Sequence, residues 1–217
     1  MISRIASIVF RLFFAALSLG AVGWQLFAIH LPGGQSVVDF FSYFTNLGNV
    51  LLGVVFLIGA VRLARGRTEA STADAAVRGA AVVYIVFIGI VYSALLGDAQ
   101  LGGLTPWVNV VCHFVMPIAG VVDWLVWPPL RRIALSTALW WLVFPAVYTV
   151  GSLVRGAVTG FYPYPFFHPG VVGGYPRVAL YCIAMLVGLL ALALLVRWAG
   201  NALGARSERR LEAVPQC

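Results

Sequence analysis

Of 217 residues, 62% are hydrophobic and only 10% are charged; with a mean hydropathy of +0.97, this excludes an ordinary soluble domain. Arginine supplies all 14 basic side chains, against 7 acidic ones. The net charge of +7 raises nucleic acid as a partner, but its distribution along the chain excludes that reading.

Apolar runs of about 20 residues recur, each long enough to cross ~30 Å of hydrocarbon. The expected fold is all-α: a polytopic membrane protein with a bundle of six transmembrane helices. The spans fall at about 9–29, 40–61, 79–96, 106–127, 133–153 and 175–196, within one domain over 1–200, followed by a tail over 201–217 that is frayed or interfacial. The first span is longer than a signal-peptide core and lacks a small-x-small cleavage site, so it reads as a retained helix. Gln25 lies near its outer end. The second span opens FFSYFTNLGNVLLG and carries Thr45, Asn46 and Asn49. Thr45 and Asn49 share one face, while Gly48 and Gly53 permit close approach of a neighbour. Tyr92 and Ser93 end the third span. The fourth carries Asn109 and His113 on one face, with Asp123 ten residues beyond His113, ~15 Å along the axis. At that distance Asp123 is expected to pair with Arg131 or Arg132. Tyr148, Thr149 and Ser152 end the fifth span, and Tyr181 lies early in the sixth. Asp39 and Asp98 read as interfacial carboxylates rather than a third catalytic group. Cys112, Cys182 and Cys217 show no CxxC or CxxH spacing, so no disulfide framework, metal site or prenylation box is expected.

Arginine sets the orientation. With both termini cytoplasmic, twelve arginines lie inside and only Arg155 and Arg177 outside, which satisfies the positive-inside rule. The charge is then a topology signal and a contact for anionic lipid headgroups. Arginine in place of every lysine suggests GC-rich coding, hence a bacterial plasma membrane. Trp24 and Trp107 at outer ends, and Trp124, Trp127 and Trp198 at inner ends, read as interfacial belts.

The polar groups converge at one depth. Thr45 is five residues below the outer start of its span, ~8 Å, and His113 about seven below, ~10 Å. Polar side chains in a membrane face the bundle interior or a wet cavity, so a cavity opening outward is expected. A neutral imidazole in reach of a threonine hydroxyl activates it as a nucleophile. Asn46, Asn49 or Asn109 is a candidate oxyanion donor, and Tyr92, Ser93, Tyr148 and Tyr181 are candidate substrate contacts. The same residues have plainer readings: Thr45 bonds back to its own helix, and Asn49 joins two helices. The Pro- and aromatic-rich connection RGAVTGFYPYPFFHPGVVGGYPR is either a lid over the cavity mouth or an ordered interfacial loop. Its His168 is a weaker candidate than His113.

FSYFTNLGNVLLG, HFVMPIAGVVDWLVW and RGAVTGFYPYPFFHPGVVGGY together resemble a bacterial family of six-span proteins. That family is similar to the androgen-induced and androgen-dependent membrane proteins of animals, intramembrane threonine hydrolases of fatty acid esters of hydroxy fatty acids. The resemblance implies Thr45 as nucleophile and His113 as base, membrane lipids and an acyl-chain substrate as partners, and no cofactor. Asn46 and Gly48 stand where bulkier apolar residues are expected from the animal enzymes.

The expected function is therefore intramembrane hydrolysis of a lipid ester. The alternative is a non-enzymatic lipid-binding or transport protein, which needs the cavity but no close Thr–His pair. Transport is disfavoured by the lack of an internal repeat. A bis-histidine cytochrome is disfavoured because His30 and His168 lie in outer loops.

Overall fold

The computed structural model describes residues 2–67, 71–97 and 103–212; Asp98 and Cys217 lie outside the described residues. Six helices are long and apolar enough to cross a membrane: Arg4–His30, Phe44–Ala64, Thr72–Leu96, Pro106–Val126, Leu135–Thr159 and Tyr175–Arg206. The protein is an all-α, multi-pass membrane bundle.

Helix α1 (Ile2–Trp24) continues through a π turn at Gln25–His30 and packs along α3 (Phe44–Ala64). Small residues make that contact close: Ser18 Oγ donates to Asn49 O at 2.9 Å, and a Cβ on Gly53 would stand 2.9 Å from Leu19 Cγ. Gly48, on the other side of α3, abuts Ile88 of α4 (Thr72–Val91). Both glycines therefore do what the sequence suggests, admitting neighbours that a side chain would hold off. Ser71 and Asp74 form a capping box at the start of α4, and a π turn at Tyr92–Leu96 ends it. The fourth span is α5 (Pro106–Val110), a π turn at Val111–Val115, and α6 (Met116–Val126).

The second span begins later than predicted. A separate short helix, α2 (Val37–Phe41), precedes α3, and Tyr43 between them is extended. Side chains stabilise the break. Asn46 Nδ2 donates to Phe40 O at 2.7 Å, Ser42 Oγ to Val38 O at 2.6 Å, and Tyr148 OH to Ser42 O at 2.7 Å. Thr45 consequently sits in the first turn of its helix, not five residues into it. The fifth span is likewise two helices, α7 (Leu135–Trp140) and α8 (Val143–Thr159). Pro145 in the first turn of α8 has no N–H to continue a helix from α7. After a 3₁₀ turn at Pro165–Phe167 and a four-residue α9 (Pro169–Val172), α10 runs over Tyr175–Glu212. It carries helix well into the stretch expected to fray, because residues there pack on the connection after α6. Asn201 binds both backbone groups of Ile133, accepting from N at 2.8 Å and donating to O at 3.0 Å.

Three interior placements also differ. Asp123 pairs not with Arg131 or Arg132 but with Arg11 Nε at 2.6 Å and Arg78 at 2.7 Å. Pro128 and Pro129 end the helix and carry Arg131 and Arg132 to the surface. Arg11 and Arg78, counted above as loop charges, are thus bundle residues. Trp124 is not a belt residue: it is buried, donates to Val196 O at 3.0 Å, and sits against Gly79 and Gly200. Trp24, Trp107 and Trp198 are exposed on the bundle surface.

Candidate active site

Thr45 is the second residue of α3, whose first amides have no carbonyl in their own helix. Its N–H donates to Tyr164 OH at 3.2 Å, and its Oγ1 lies 3.3 Å from the same hydroxyl. On its other side Oγ1 is 3.4 Å from His113 Nε2. The distance is at the long end for a hydrogen bond, as catalytic contacts often are in an unliganded site. His113 is 4% exposed. Its Nδ1 is 3.1 Å from Asn109 O, and only a protonated Nδ1 makes that a hydrogen bond. The partner carbonyl therefore fixes the tautomer and leaves the Nε2 lone pair toward Thr45. The ring stacks on Tyr92 with centroids 3.9 Å apart and planes 23° from parallel. Tyr92 OH in turn accepts from Asn109 Nδ2 at 2.6 Å. Tyr92 and His113 both belong to π turns, a distortion that recurs at functional sites.

Thr45 and His113 open onto a cavity of about 240 Å³. One trapped water needs only ~10–15 Å³ by this measure, so the space suits a stretch of acyl chain or a small molecule. Tyr92, Tyr148, Thr149 and Tyr164 give its polar rim. Phe87, Val91, Met185, Leu186 and Leu189 are among its apolar lining. The lining on α10 runs from Cys182 to Leu189, about 10 Å along that helix. Two lining residues, Val150 on α8 and Leu186 on α10, are also exposed, which puts this side of the cavity at or near the bundle surface.

The connection after α8 closes the mouth. Tyr164, Phe166 and Phe167 are buried and line the cavity. Gly160, at φ +76°, turns the chain back from α8. Arg155 reaches Ser42 and Asp39, tying this end of α8 to α2. Burial raises the Tyr164 phenol above its usual pKa, although its bonds to Thr45 act the other way; the hydroxyl stays a neutral donor. His168 caps α9, its Nδ1 accepting from Gly170 N at 3.1 Å, and it is not a cavity residue.

Several predicted site residues are used elsewhere. Asn46 is committed to Phe40 O. Asn49 donates to Thr45 O at 2.9 Å and Cys112 O at 3.3 Å, so it joins the second and fourth spans and its amide has no N–H left for an oxyanion. Asn109 serves Tyr92 and His113 from behind. Ser93 bonds back to Gly89 O at 2.8 Å. Tyr181 stands outside the cavity against Phe166, with ring centroids 6.3 Å apart. Gln25 ties α1 to the turn before α5 through Gly103 O at 2.8 Å and Thr105 N at 3.1 Å. Sequence reasoning missed Tyr164. The available signal was a tyrosine between two prolines in YPYPFF, an amphipathic ring held in a fixed turn.

The chain matches no family model, no curated protein and no solved structure.

Proposed function

We propose that the protein hydrolyses a lipid ester within the membrane, with Thr45 as nucleophile and His113 as general base. The supporting observation is the approach of Thr45 Oγ1 to Nε2 of a buried imidazole, 3.4 Å away, at the wall of an apolar cavity. Thr45 Oγ attacks the ester carbonyl carbon while its proton passes to His113 Nε2. The new C–O bond forms as the carbonyl π pair moves onto oxygen. That oxyanion is stabilised by the Tyr164 hydroxyl and by the positive end of α3, where the Thr45 N–H passes from Tyr164 OH to the oxyanion. Collapse expels the alcohol, which takes the proton from His113, and leaves an acyl-threonine ester. Water, deprotonated by the same nitrogen, attacks that ester. The fatty acid departs, and Thr45 regains its proton.

The residues that line the cavity suit an acyl chain, and the motif resemblance to threonine hydrolases of fatty acid esters supplies the substrate class. The exposure of the lining residues Val150 and Leu186 suits entry from the lipid side between α8 and α10. In this reading the membrane is a bacterial plasma membrane, and the site lies toward its outer face. A lipid-binding protein without chemistry would use the same apolar cavity. Hydrolysis of p-nitrophenyl decanoate by purified protein separates the two. Thr45→Ala and His113→Ala should each abolish turnover, and the double variant should be no worse, because the two groups act as one unit. Equal rates for wild type and Thr45→Ala sink the enzyme reading and leave lipid binding.

A further inference from the structure

A second concavity, of about 420 Å³, lies at the arginine-rich end of the bundle, between the connection after α6 and the last turns of α10. Its walls include Arg131, Arg132, Arg197, Trp198 and Asn201. The site is built rather than incidental. Asn201 clamps Ile133 through two hydrogen bonds, and Gly200 and Gly204, one turn apart, let Pro129 lie against the α10 backbone. Arg197 Nε donates to Ile133 O at 3.1 Å, which holds the guanidinium in place, and among the described residues neither terminal nitrogen has a partner. Among the described residues, Arg131 and Arg132 have no carboxylate or carbonyl partner, and no carboxylate lines the groove. Three positive charges thus line one groove with no counter-charge among the described residues.

The surroundings specify what would neutralise them. Trp198 is 65% exposed, and one turn deeper Leu194 and Leu195 are exposed on α10. An indole belongs at the headgroup level, and the leucines continue the surface into hydrocarbon. Guanidinium groups bind phosphate oxygens in bidentate fashion, and basic pockets between helix ends at the cytoplasmic face take acidic headgroups.

The geometry points to Arg131, Arg132 and Arg197 as a binding site for the phosphate of an acidic phospholipid, with Trp198 at its glycerol level and the acyl chains along α10. A headgroup with two negative charges, a phosphate monoester or a diphosphatidyl lipid, matches three guanidinium groups better than a single phosphodiester does. The site is separate from Thr45, so the assignment does not depend on the hydrolase reading.

The test is native mass spectrometry of the full-length protein in detergent with added cardiolipin, phosphatidic acid or phosphatidylcholine, or with inorganic phosphate. Cardiolipin and phosphatidic acid should bind, and phosphatidylcholine should not compete. Arg131→Gln/Arg132→Gln keeps the Asn201 and Arg197 bonds to Ile133, so the fold is retained. It should weaken acidic-lipid binding roughly 30-fold, at ~1 kcal/mol for each lost charge. Arg65→Gln/Arg67→Gln, which removes two exposed arginines elsewhere at the same end, should leave binding intact. Equal loss in both double variants, or equal binding of phosphatidylcholine, would overturn the site. Inorganic phosphate displacing the lipid at equal concentration would overturn the lipid assignment in favour of a free anion.

Discussion

Replacing Asp123 with asparagine probes how the arginine-rich end of the bundle is held. The carboxylate is 1% exposed, with one oxygen on Arg11 at 2.6 Å and the other on Arg78 at 2.7 Å. An amide keeps the shape but only one acceptor. Its NH₂ then opposes a guanidinium N–H, and two buried cations lose their counter-charge. Removing one partner of a buried ion pair costs about 3–5 kcal/mol. Arg78 keeps a second acceptor, Trp127 O at 2.8 Å, which places the loss near the lower end, ~3 kcal/mol. A domain of this size loses roughly 2–4 °C per kcal/mol, so the melting midpoint of Asp123→Asn should fall by roughly 6–12 °C. Tryptophan fluorescence in detergent is a suitable readout, because Trp124 lies under Arg78, 5.6 Å from ring centroid to guanidinium carbon. Arg62→Gln is the control. Its bridge to Asp74 is partly exposed, and such pairs contribute about 0–1 kcal/mol. A midpoint for Asp123→Asn within 2 °C of wild type, or a shift no larger than that of Arg62→Gln, would refute the buried-pair reasoning.

Tyr164→Phe should lower kcat by roughly 10²–10³-fold, the usual effect of losing one oxyanion donor, while losing its bond from the Thr45 N–H costs only about 1 kcal/mol, or roughly 2–4 °C in melting midpoint; a rate within threefold of wild type removes Tyr164 from the mechanism. Hydrogen bonds from Ser36, then from Arg155, hold Asp39 below the usual carboxylate pKa. The folded state therefore binds this proton less readily than the unfolded chain, and the stabilisation is complete above about pH 4 and lost as pH falls through the folded value. The gap in melting midpoint between wild type and Asp39→Asn should accordingly narrow as pH is lowered below about 4, and a constant gap would show that the carboxylate charge contributes nothing. A reporter active only in the cytoplasm, fused after Cys217, should be active, whereas a periplasm-dependent one should not; the reverse pattern inverts the orientation.

The meeting of Thr45 and His113 was legible because helical spacing and helix ends are local properties. Thr45/Asn49 and Asn109/His113 each mark one face, and both pairs lie near the same end of their spans. What lay beyond reach was set by long-range contacts. The break at Ser42–Tyr43 is stabilised by Asn46, Tyr148 and Arg155, so its position could not be read from the apolar run, and Thr45 was placed a turn too deep. The asparagines were offered as oxyanion donors because their type suits that role; the carbonyls that occupy Asn46 and Asn49 and the Tyr92 hydroxyl that occupies Asn109 are invisible in sequence. Arg11 was counted with the loop charges because arginine next to a span usually snorkels outward, whereas Asp123 from the fourth span draws it inward. Tyr164 escaped notice because a Pro-rich connection has no periodicity that says where its side chains go.

The central claim, that Thr45 is an acyl-accepting nucleophile, is tested most directly by the mass of the protein itself. Wild-type protein mixed with p-nitrophenyl decanoate and quenched in acid within the first turnovers should gain one decanoyl group, and peptide fragmentation should place it on Thr45. Thr45→Ala should gain none. A decanoyl group carried by another residue, such as Cys182 at the cavity wall, in both wild type and Thr45→Ala would contradict the account.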